Sequence, residues 1–183
     1  MNISEDKIFA NFPTIKTDKF LLREIKISDA KHFFEYITNS NVVEFLSSEE
    51  LPDSYSNAIS ELSYWKGLFD NKRSIYWGIE KDSKLIGTCG YNNWNRTHKR
   101  CEISYDLSYS HWGQGIMTEA VKLIVRFAFN EMGINRVQST VATDNIASIK
   151  VLEKNHFKRE GRMEKFGILN GKLKDFFMYS RVR

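Results

Sequence analysis

Two glycines one residue apart, Gly113 and Gly115, are the residues of this chain whose spacing most directly indicates chemistry. A strand-like segment, Cys101–Ser108, precedes them, and an apolar-periodic segment without a helix breaker follows as far as Gly133. A strand, a glycine-rich turn and a helix start bring free backbone N–H groups together beside the positive end of the helix dipole. We therefore predict an anion site whose ligand carries a phosphate or a pyrophosphate.

The spacing of the glycines excludes the two common nucleotide motifs. The dinucleotide fingerprint G-x-G-x-x-G needs a third glycine where Thr118 stands, and the chain contains no G-x-x-x-x-G-K-[ST] sequence. Taken alone, the glycine pair fits an ordinary turn as well as it fits a phosphate site. The elements around the pair must therefore decide between the two interpretations.

Apolar periodicity and capping residues predict one strand, two helices, three strands, a helix, a strand, a helix and two strands, in that order. The predicted strands are 20–25, 74–80, 84–94, 101–108, 136–142, a segment from 157, and 173–179, and the predicted helices are 28–38, 53–68, 115–131 and 144–154, with a short helical turn at 41–46. A meander joined to a βαβ crossover gives an α/β fold. We expect a mixed, mostly antiparallel, twisted sheet of six to seven strands with helices on both faces.

Five motifs, in the expected order, resemble those of the GNAT acetyltransferases, and in particular those of the RimJ/RimL type. Segment 112–120, Trp-Gly-Gln-Gly-Ile-Met-Thr-Glu-Ala, resembles the acetyl-CoA motif [RQ]-x-x-G-x-[GA]. Thr17–Arg23, with Asp29, resembles the family's T-x-R-L-x-L-R opening, and Cys101–Leu107 resembles its A-E-I-G-Y-x-L strand. Asp144–Phe157 resembles its D-N-x-x-S helix start, and Asn170–Asp175 resembles its N-G-x-x-x-D hairpin. The resemblance covers nearly the whole chain. It implies a single GNAT domain, residues 1–183, that uses acetyl-CoA as its cosubstrate.

Three residues depart from the family pattern. Trp112 stands where the motif has Arg or Gln, and Met117 replaces its final Gly or Ala. The backbone N–H of Met117 must therefore donate to phosphate while its side chain points away. His156 replaces the glycine before Phe157, at a helix end where a positive φ is expected, and histidine tolerates that conformation better than most residues do.

The resemblance also implies which residues hold acetyl-CoA. The backbone of the turn and of the following helix start should bind the pyrophosphate, and the strand edge around Leu107 should pair with the pantetheine arm. Asn145 and Ser148 should contact the arm and the thiol sulfur, although capping alone would explain Asp144 and Asn145. The predicted cofactor-binding residues are Leu107, Trp112, Gly113, Gln114, Gly115, Met117, Thr118, Asn145 and Ser148.

Acyl transfer from acetyl-CoA to an amine is usually direct in this family, and it needs a proton donor for the leaving thiolate and a route for the amine proton. Some relatives carry a tyrosine one turn after the serine, but Leu152 stands there, so Ser148 is the predicted donor. Glu102, on the strand that enters the turn, is the predicted base, and a structural hydrogen bond is an equal alternative. Glu160 and Glu164 are the other candidate bases.

The acceptor is predicted from the fact that no residue in the sequence stands out as a general base. An α-amine has a pKa of about 7.7–8.0 and is already partly neutral near pH 7.4, whereas deprotonating a lysine amine costs about 4 kcal/mol. We therefore expect a protein N-terminal α-amine. The sequence leaves open a small amine, such as an amino acid, a polyamine or an aminoglycoside-like drug, and also a noncatalytic acyl-CoA-binding protein.

The composition bounds the partners. The 183 residues are 42% hydrophobic, the net charge is +4, and lysines and arginines are scattered, which disfavours nucleic-acid binding. No apolar run approaches the roughly 20 residues that span a bilayer, and residues 1–7 lack the pattern of a signal peptide, so the expected location is the cytoplasm. The four histidines show no ligand spacing, so we expect no metal, and Cys89 and Cys101 are expected to be small core residues. We expect a monomer or a homodimer.

Overall fold

The computed structural model of the chain describes residues 5–47 and 51–183, so the first part of the N-terminal segment considered above lies outside the described residues. Within them, the helices are α1 (Glu5–Ile8), α2 (Ala30–Ile37), α3 (Ser40–Val43), α4 (Tyr55–Asp70), α5 (Ile116–Asn130) and α6 (Ile146–Lys154), and the strands are β1 (Ile15–Lys16), β2 (Leu21–Glu24), β3 (Tyr76–Lys81), β4 (Lys84–Asn95), β5 (Arg100–Leu107), β6 (Arg136–Ala142), β7 (Lys158–Leu169) and β8 (Lys172–Val182).

The strands form one mixed sheet in the order β1-β2-β3-β4-β5-β6-β8-β7. Every neighbouring pair is antiparallel except β5 and β6, which are joined by the α5 crossover and run parallel. This topology confirms the predicted α/β, mostly antiparallel fold. The described residues form eight strands, one more than the upper end of the predicted count of about six to seven. The additional strand, β1, is two residues long and pairs Ile15 with Leu22, and so short a strand carries no alternating pattern.

Helices cover both faces of the sheet, as predicted. On one face α5 buries its apolar stripe, with Val121, Ile124 and Ala128 fully inaccessible to solvent. On the other face α2 and α4 pack together through residues such as Phe33 and Leu62, which are also buried. In the part of the chain that the structure describes, no helix is both long and apolar enough to cross a membrane.

The two cysteines lie inside the core, as predicted. Cys89 on β4 and Cys101 on β5 are free thiols that are buried in the same apolar cluster. Burial, and then the nearby Glu102 carboxylate, raise the pKa of Cys101 to about 12. A thiol with so high a pKa is protonated at neutral pH and is a poor nucleophile.

Local signals in the sequence set the turns and helix ends. Asn170 and Gly171, with φ of 53° and 70°, form the two-residue loop between β7 and β8 that the Asn-Gly pair predicts. His156 ends α6 with φ of 61°, so it adopts the left-handed conformation that a glycine takes in the family pattern. The side chain of Asn145 accepts a hydrogen bond from the Ser148 amide at 3.0 Å and caps α6.

Candidate active site

The parallel strands β5 and β6 pair only at their beginnings. Their pairing ends at Glu102 and Gln138, after which β5 continues against β4 while β6 continues against β8. The hydroxyl of Ser139 donates to the carbonyl of Ile103 at 3.2 Å, just beyond the last pair. Residues 104–107 of β5 and 140–142 of β6 therefore diverge and form a strand gap.

The glycine turn, residues 112–115, lies at the wide end of the strand gap and leads into α5. Gly113 and Gly115 have φ of 74° and 75°, in the left-handed region that favours glycine. The first bond within α5 runs from the Glu119 amide to the Gly115 carbonyl at 3.1 Å, and the amides of the three residues between them precede it. Such amides have no partner within a helix, so they suit an anion.

Open space surrounds the glycine turn. A Cβ built on Gly113 or Gly115 would meet no other heavy atom within 4 Å, so the glycines are required by the backbone conformation and not by crowding. The Met117 side chain is only 7% exposed and packs into the core below α5. The side chain that departs from the motif thus points away from the turn, as expected, and leaves its amide at the surface of the site.

Side chains hold the glycine turn against the sheet. The indole N–H of Trp112 donates to the Leu107 carbonyl at 2.8 Å, at the end of β5. The Gln114 side chain extends away from the strand gap, where its amide donates to the Ser110 carbonyl at 3.1 Å and its oxygen accepts from Lys81 at 3.3 Å. Trp112 and Gln114 therefore position the backbone of the turn with their side chains.

A cavity of about 450 Å³ joins the glycine turn to the strand gap and the start of α6. Most of the predicted cofactor-binding residues line it: Leu107, Trp112, Gly113, Gly115, Met117, Thr118, Asn145 and Ser148. Of the other predicted site residues, Gln114 and Glu102 are not among the residues that line the cavity. The cavity wall also includes Val42 of α3, and Phe45 and Leu46 beyond its end.

The positive charge that lines the cavity comes from α6. Lys150 and Lys154 line it, and their spacing of four residues places them on one face of the helix. His111 lines it too, but burial, and then the nearby Lys81 ammonium, lower the pKa of His111 from its ordinary value, so its ring is neutral at neutral pH. The two α6 lysines were not among the predicted site residues, although their spacing was a signal that could have identified them.

Ser148 contacts a tyrosine that comes from β5. The Ser148 hydroxyl donates to the hydroxyl oxygen of Tyr105 at 2.8 Å, and the Tyr105 hydroxyl lies 3.4 Å from the Ser148 carbonyl. Both side chains line the cavity. The tyrosine that some relatives carry one turn after the serine is Leu152 here, and Leu152 is fully buried. Tyr105 therefore brings a phenol to the same serine from a different element.

Asp106 forms the cavity wall beside Tyr105. Its carboxylate accepts a hydrogen bond at 2.6 Å from the Tyr36 hydroxyl of α2 and another at 2.6 Å from the Thr88 hydroxyl of β4. These contacts connect α2 to the sheet directly below the cavity. The members of this group lie far apart along the chain, and nothing in their spacing predicts that they meet.

The candidate bases have partners of their own. The Glu102 carboxylate accepts a hydrogen bond from Thr140 at 3.3 Å and a longer one from Asn93 at 3.4 Å. Glu160 lies on β7, where Arg136 donates to both of its oxygens at 2.6 and 2.7 Å. Hydrogen bonds from Arg136 and then Ser180 lower the pKa of Glu160 to about 2. A carboxylate of such low pKa has little tendency to take a proton at neutral pH.

Comparison with known proteins identifies the family. The profile of the acetyltransferase (GNAT) domain matches residues 19–158. The chain is 36% identical over 174 residues to YoaA of Bacillus subtilis (strain 168), an uncharacterized N-acetyltransferase. The alignment covers 94% of this chain and 98% of the relative. It is 31% identical over 104 residues to the ribosomal-protein-serine acetyltransferase of Escherichia coli (strain K12), covering 57% of this chain and 58% of that protein.

A solved structure shares the fold. RimL, a ribosomal L7/L12 α-N-protein acetyltransferase whose structure was determined in complex with coenzyme A, superposes with a TM-score of 0.86 at 23% identity, covering 93% of this chain and 98% of that chain. The family profile spans the glycine turn, the strand gap and α6, which together form the cavity. The chain therefore belongs to the GNAT acetyltransferase family and is an acetyl-CoA-dependent N-acetyltransferase.

Proposed function

We propose that this enzyme transfers the acetyl group of acetyl-CoA directly to the α-amine at the N-terminus of a protein. The observation that carries the proposal is one continuous cavity. It connects a helix start whose first amides have no partner within the helix, two lysines of α6 and a pair of hydroxyl groups at the strand gap. A cosubstrate with phosphates at one end and a thioester at the other fits this order of chemical groups.

The residues take the following roles in the proposed reaction. Amides of the glycine turn and of the first turn of α5 bind the pyrophosphate, and the edge of β5 around Leu107 pairs with the pantetheine arm. The amine nitrogen bonds to the acetyl carbonyl carbon, the carbon–sulfur bond breaks, and the sulfur keeps the electron pair. Ser148 donates a hydrogen bond to that sulfur, and the nitrogen releases its proton to water or to a base.

The choice of an α-amine rests on the state of the carboxylates. Glu160 has a low pKa and a bidentate partner, and Glu102 accepts hydrogen bonds from Thr140 and Asn93 outside the cavity lining. Asp106, which lines the cavity, already accepts hydrogen bonds from Tyr36 and Thr88. Because each of these carboxylates is engaged, the site favours an acceptor that is partly neutral without help. The partial similarity to an enzyme named for a ribosomal-protein serine is in accord with such an acceptor. Glu102 stays our candidate for the base, acting directly or through water.

A matched acceptor panel tests this proposal. A lysine-free peptide with a free α-amine, the same peptide with a blocked α-amine and one lysine, spermidine, a free amino acid and an aminoglycoside are each incubated with acetyl-CoA. Thiol release gives the rate, and mass spectrometry locates the acetyl group. We expect the first peptide to give the highest kcat/KM. A higher value for any other amine contradicts the proposed acceptor, and coenzyme A binding without turnover of any amine indicates a noncatalytic protein.

The pH dependence gives an independent prediction. Because only the neutral amine reacts, kcat/KM for the α-amine peptide should rise about tenfold for each pH unit below pH ~7 and level off above its pKa of about 8. With a lysine or polyamine acceptor the rise continues toward about pH 10. A profile for the α-amine peptide that still rises steeply at pH 9 would show that another group limits the reaction.

Ser148→Ala should lower turnover more than it lowers affinity. The variant loses a donor to the leaving sulfur, and removing one such donor from a developing anion costs roughly 100- to 1000-fold in kcat. Its cap should survive, because Asn145 bonds to the backbone amide of residue 148 and not to its side chain. Steady-state kinetics with a saturating acceptor measure the effect. Unchanged kcat would leave Ser148 with a purely structural role.

A further inference from the structure

We propose that Tyr105 is a positioning residue for the thiolate leaving group: its hydroxyl donates to Ser148 while Ser148 donates to the sulfur. The proposal rests on the proposed role of Ser148. It adds a second hydroxyl, from β5, to a function that the family pattern places on α6 alone. Tyr105 itself does not contact the sulfur in this scheme and acts only through the serine.

The geometry allows the two hydroxyl groups to exchange roles. Their oxygens are 2.8 Å apart, and in the resting arrangement Ser148 is the donor and Tyr105 the acceptor. The Tyr105 proton then points toward the Ser148 carbonyl at 3.4 Å, which is a long hydrogen bond that is readily exchanged. If the Ser148 proton turns to a negatively charged sulfur, the Tyr105 proton can turn to the serine oxygen without any movement of heavy atoms. Two hydroxyl groups in series stabilise an anion better than one does.

The surroundings keep Tyr105 in the donor form. Burial raises the pKa of Tyr105 above its usual range, with the Ser148 hydrogen bond acting weakly in the other direction, so the phenol keeps its proton throughout the working pH range. The other titratable residues that line the cavity are Asp106, His111, Lys150 and Lys154. None of them is altered in the variants below, so a difference between variants reports on the hydroxyl pair.

A simpler role for Tyr105 is to hold α6 against the sheet, and the chain contains a matched control for it. Tyr179 of β8 is buried, and its hydroxyl donates to Glu153 of α6 at 3.1 Å. Tyr179→Phe therefore removes a hydroxyl that contacts the same helix from another strand, away from the cavity. A role limited to holding α6 predicts similar effects for Tyr179→Phe and Tyr105→Phe.

The decisive measurement is the titration of coenzyme A bound to the enzyme, followed through the ultraviolet absorbance of its thiolate. It needs no acceptor amine, so it is independent of whether the α-amine proposal holds. Donors to the thiolate favour the charged form, so the pKa of the bound thiol should lie below that of free coenzyme A. Tyr105→Phe should raise the pKa of the bound thiol by about 1, and Tyr179→Phe should leave it unchanged.

Kinetics supply the second readout, with the best acceptor from the panel. We expect Tyr105→Phe to lower kcat about tenfold and to leave the KM for acetyl-CoA nearly unchanged, and to have no further effect in a Ser148→Ala background. An additive effect in that background would overturn the claim that Tyr105 acts through Ser148. An equal thiol pKa in wild type and Tyr105→Phe would overturn the role of Tyr105. An equal thiol pKa in wild type and free coenzyme A would overturn the donation to the sulfur on which that role rests, and this second comparison needs no variant.

Discussion

Gly115→Asp should weaken the binding of coenzyme A by a few hundredfold while the protein stays folded. The new carboxylate would stand at the helix start that we assign to the pyrophosphate. Two like charges about 4 Å apart near a protein surface repel by about 4 kcal/mol, which is nearly a thousandfold in affinity. The fold should tolerate the change, because aspartate is enriched among residues with positive φ and no heavy atom beyond the neighbouring residues lies within 4 Å of the added Cβ.

Two variants separate charge from backbone strain. Gly115→Asn has nearly the same shape and backbone preference as Gly115→Asp but no charge, so it should retain most of the affinity. Gly133→Asp places the same carboxylate on a glycine that also has positive φ, of 64°, and open surroundings, but beyond the far end of α5. Calorimetric titration with coenzyme A and thermal unfolding measure the effects. Equal affinity for wild type and Gly115→Asp would refute the phosphate assignment, and equal losses for the two Gly115 variants would assign the loss to the backbone.

The parts of the fold that the sequence predicted are those set by local interactions. The Asn170-Gly171 loop has positive φ at both residues. It could be predicted because few other residue pairs adopt that turn. The α5 stripe is buried because its period matches a helix. The two-residue β1 could not be predicted, because it exists only through its pairing with β2. Whether so short a segment is a strand is decided by tertiary contacts and not by propensity.

In the site, too, the features set by local sequence could be predicted, and the contacts between distant residues could not. The glycine turn and the Asn145 cap are contiguous in sequence, and both lie where the motif predicts. Tyr105 and Ser148 are 43 residues apart, and nothing in the spacing indicates that the strand gap brings them together. Alternation along a strand does show that Glu102 and Tyr105, three positions apart, face opposite sides of the sheet. Glu102 therefore needs an acceptor that approaches from the face opposite Ser148, and its role as a base stays a prediction.

One of the family motifs serves the fold and not the cavity. Arg23 and Asp29, from the T-x-R-L-x-L-R segment, form a bidentate ion pair with distances of 2.7 and 2.8 Å, and both residues are at most 7% exposed. The Asp29 carboxylate also accepts from the Lys26 amide at 2.8 Å. This pair joins β2 to the start of α2. It thereby fixes the helix whose Tyr36 bonds to Asp106 under the cavity.

Asp29→Ala should consequently destabilise the protein by about 3 kcal/mol, because it leaves a buried guanidinium without its main partner. The loss should be at the lower end of the range for broken buried pairs, since Glu80 still accepts from Arg23 at 2.5 Å. Glu160→Ala is the matched comparison. It breaks a bidentate pair with Arg136 whose side chains are 42% and 27% exposed, and such pairs contribute about 0–1 kcal/mol.

Denaturant unfolding of Asp29→Ala and Glu160→Ala at low and high salt distinguishes the contribution of the buried ion pair to stability from that of the exposed one. The loss of unfolding free energy in Asp29→Ala should persist at high salt, since buried charges are weakly screened. The loss of unfolding free energy in Glu160→Ala should become smaller at high salt. Asp29→Asn should lie between wild type and Asp29→Ala, because its amide oxygen can still accept from the Lys26 amide. Equal losses for Asp29→Ala and Glu160→Ala would show that burial does not set the strength of the pair. In that case the motif residue Arg23 would have to be explained by something other than the position of α2.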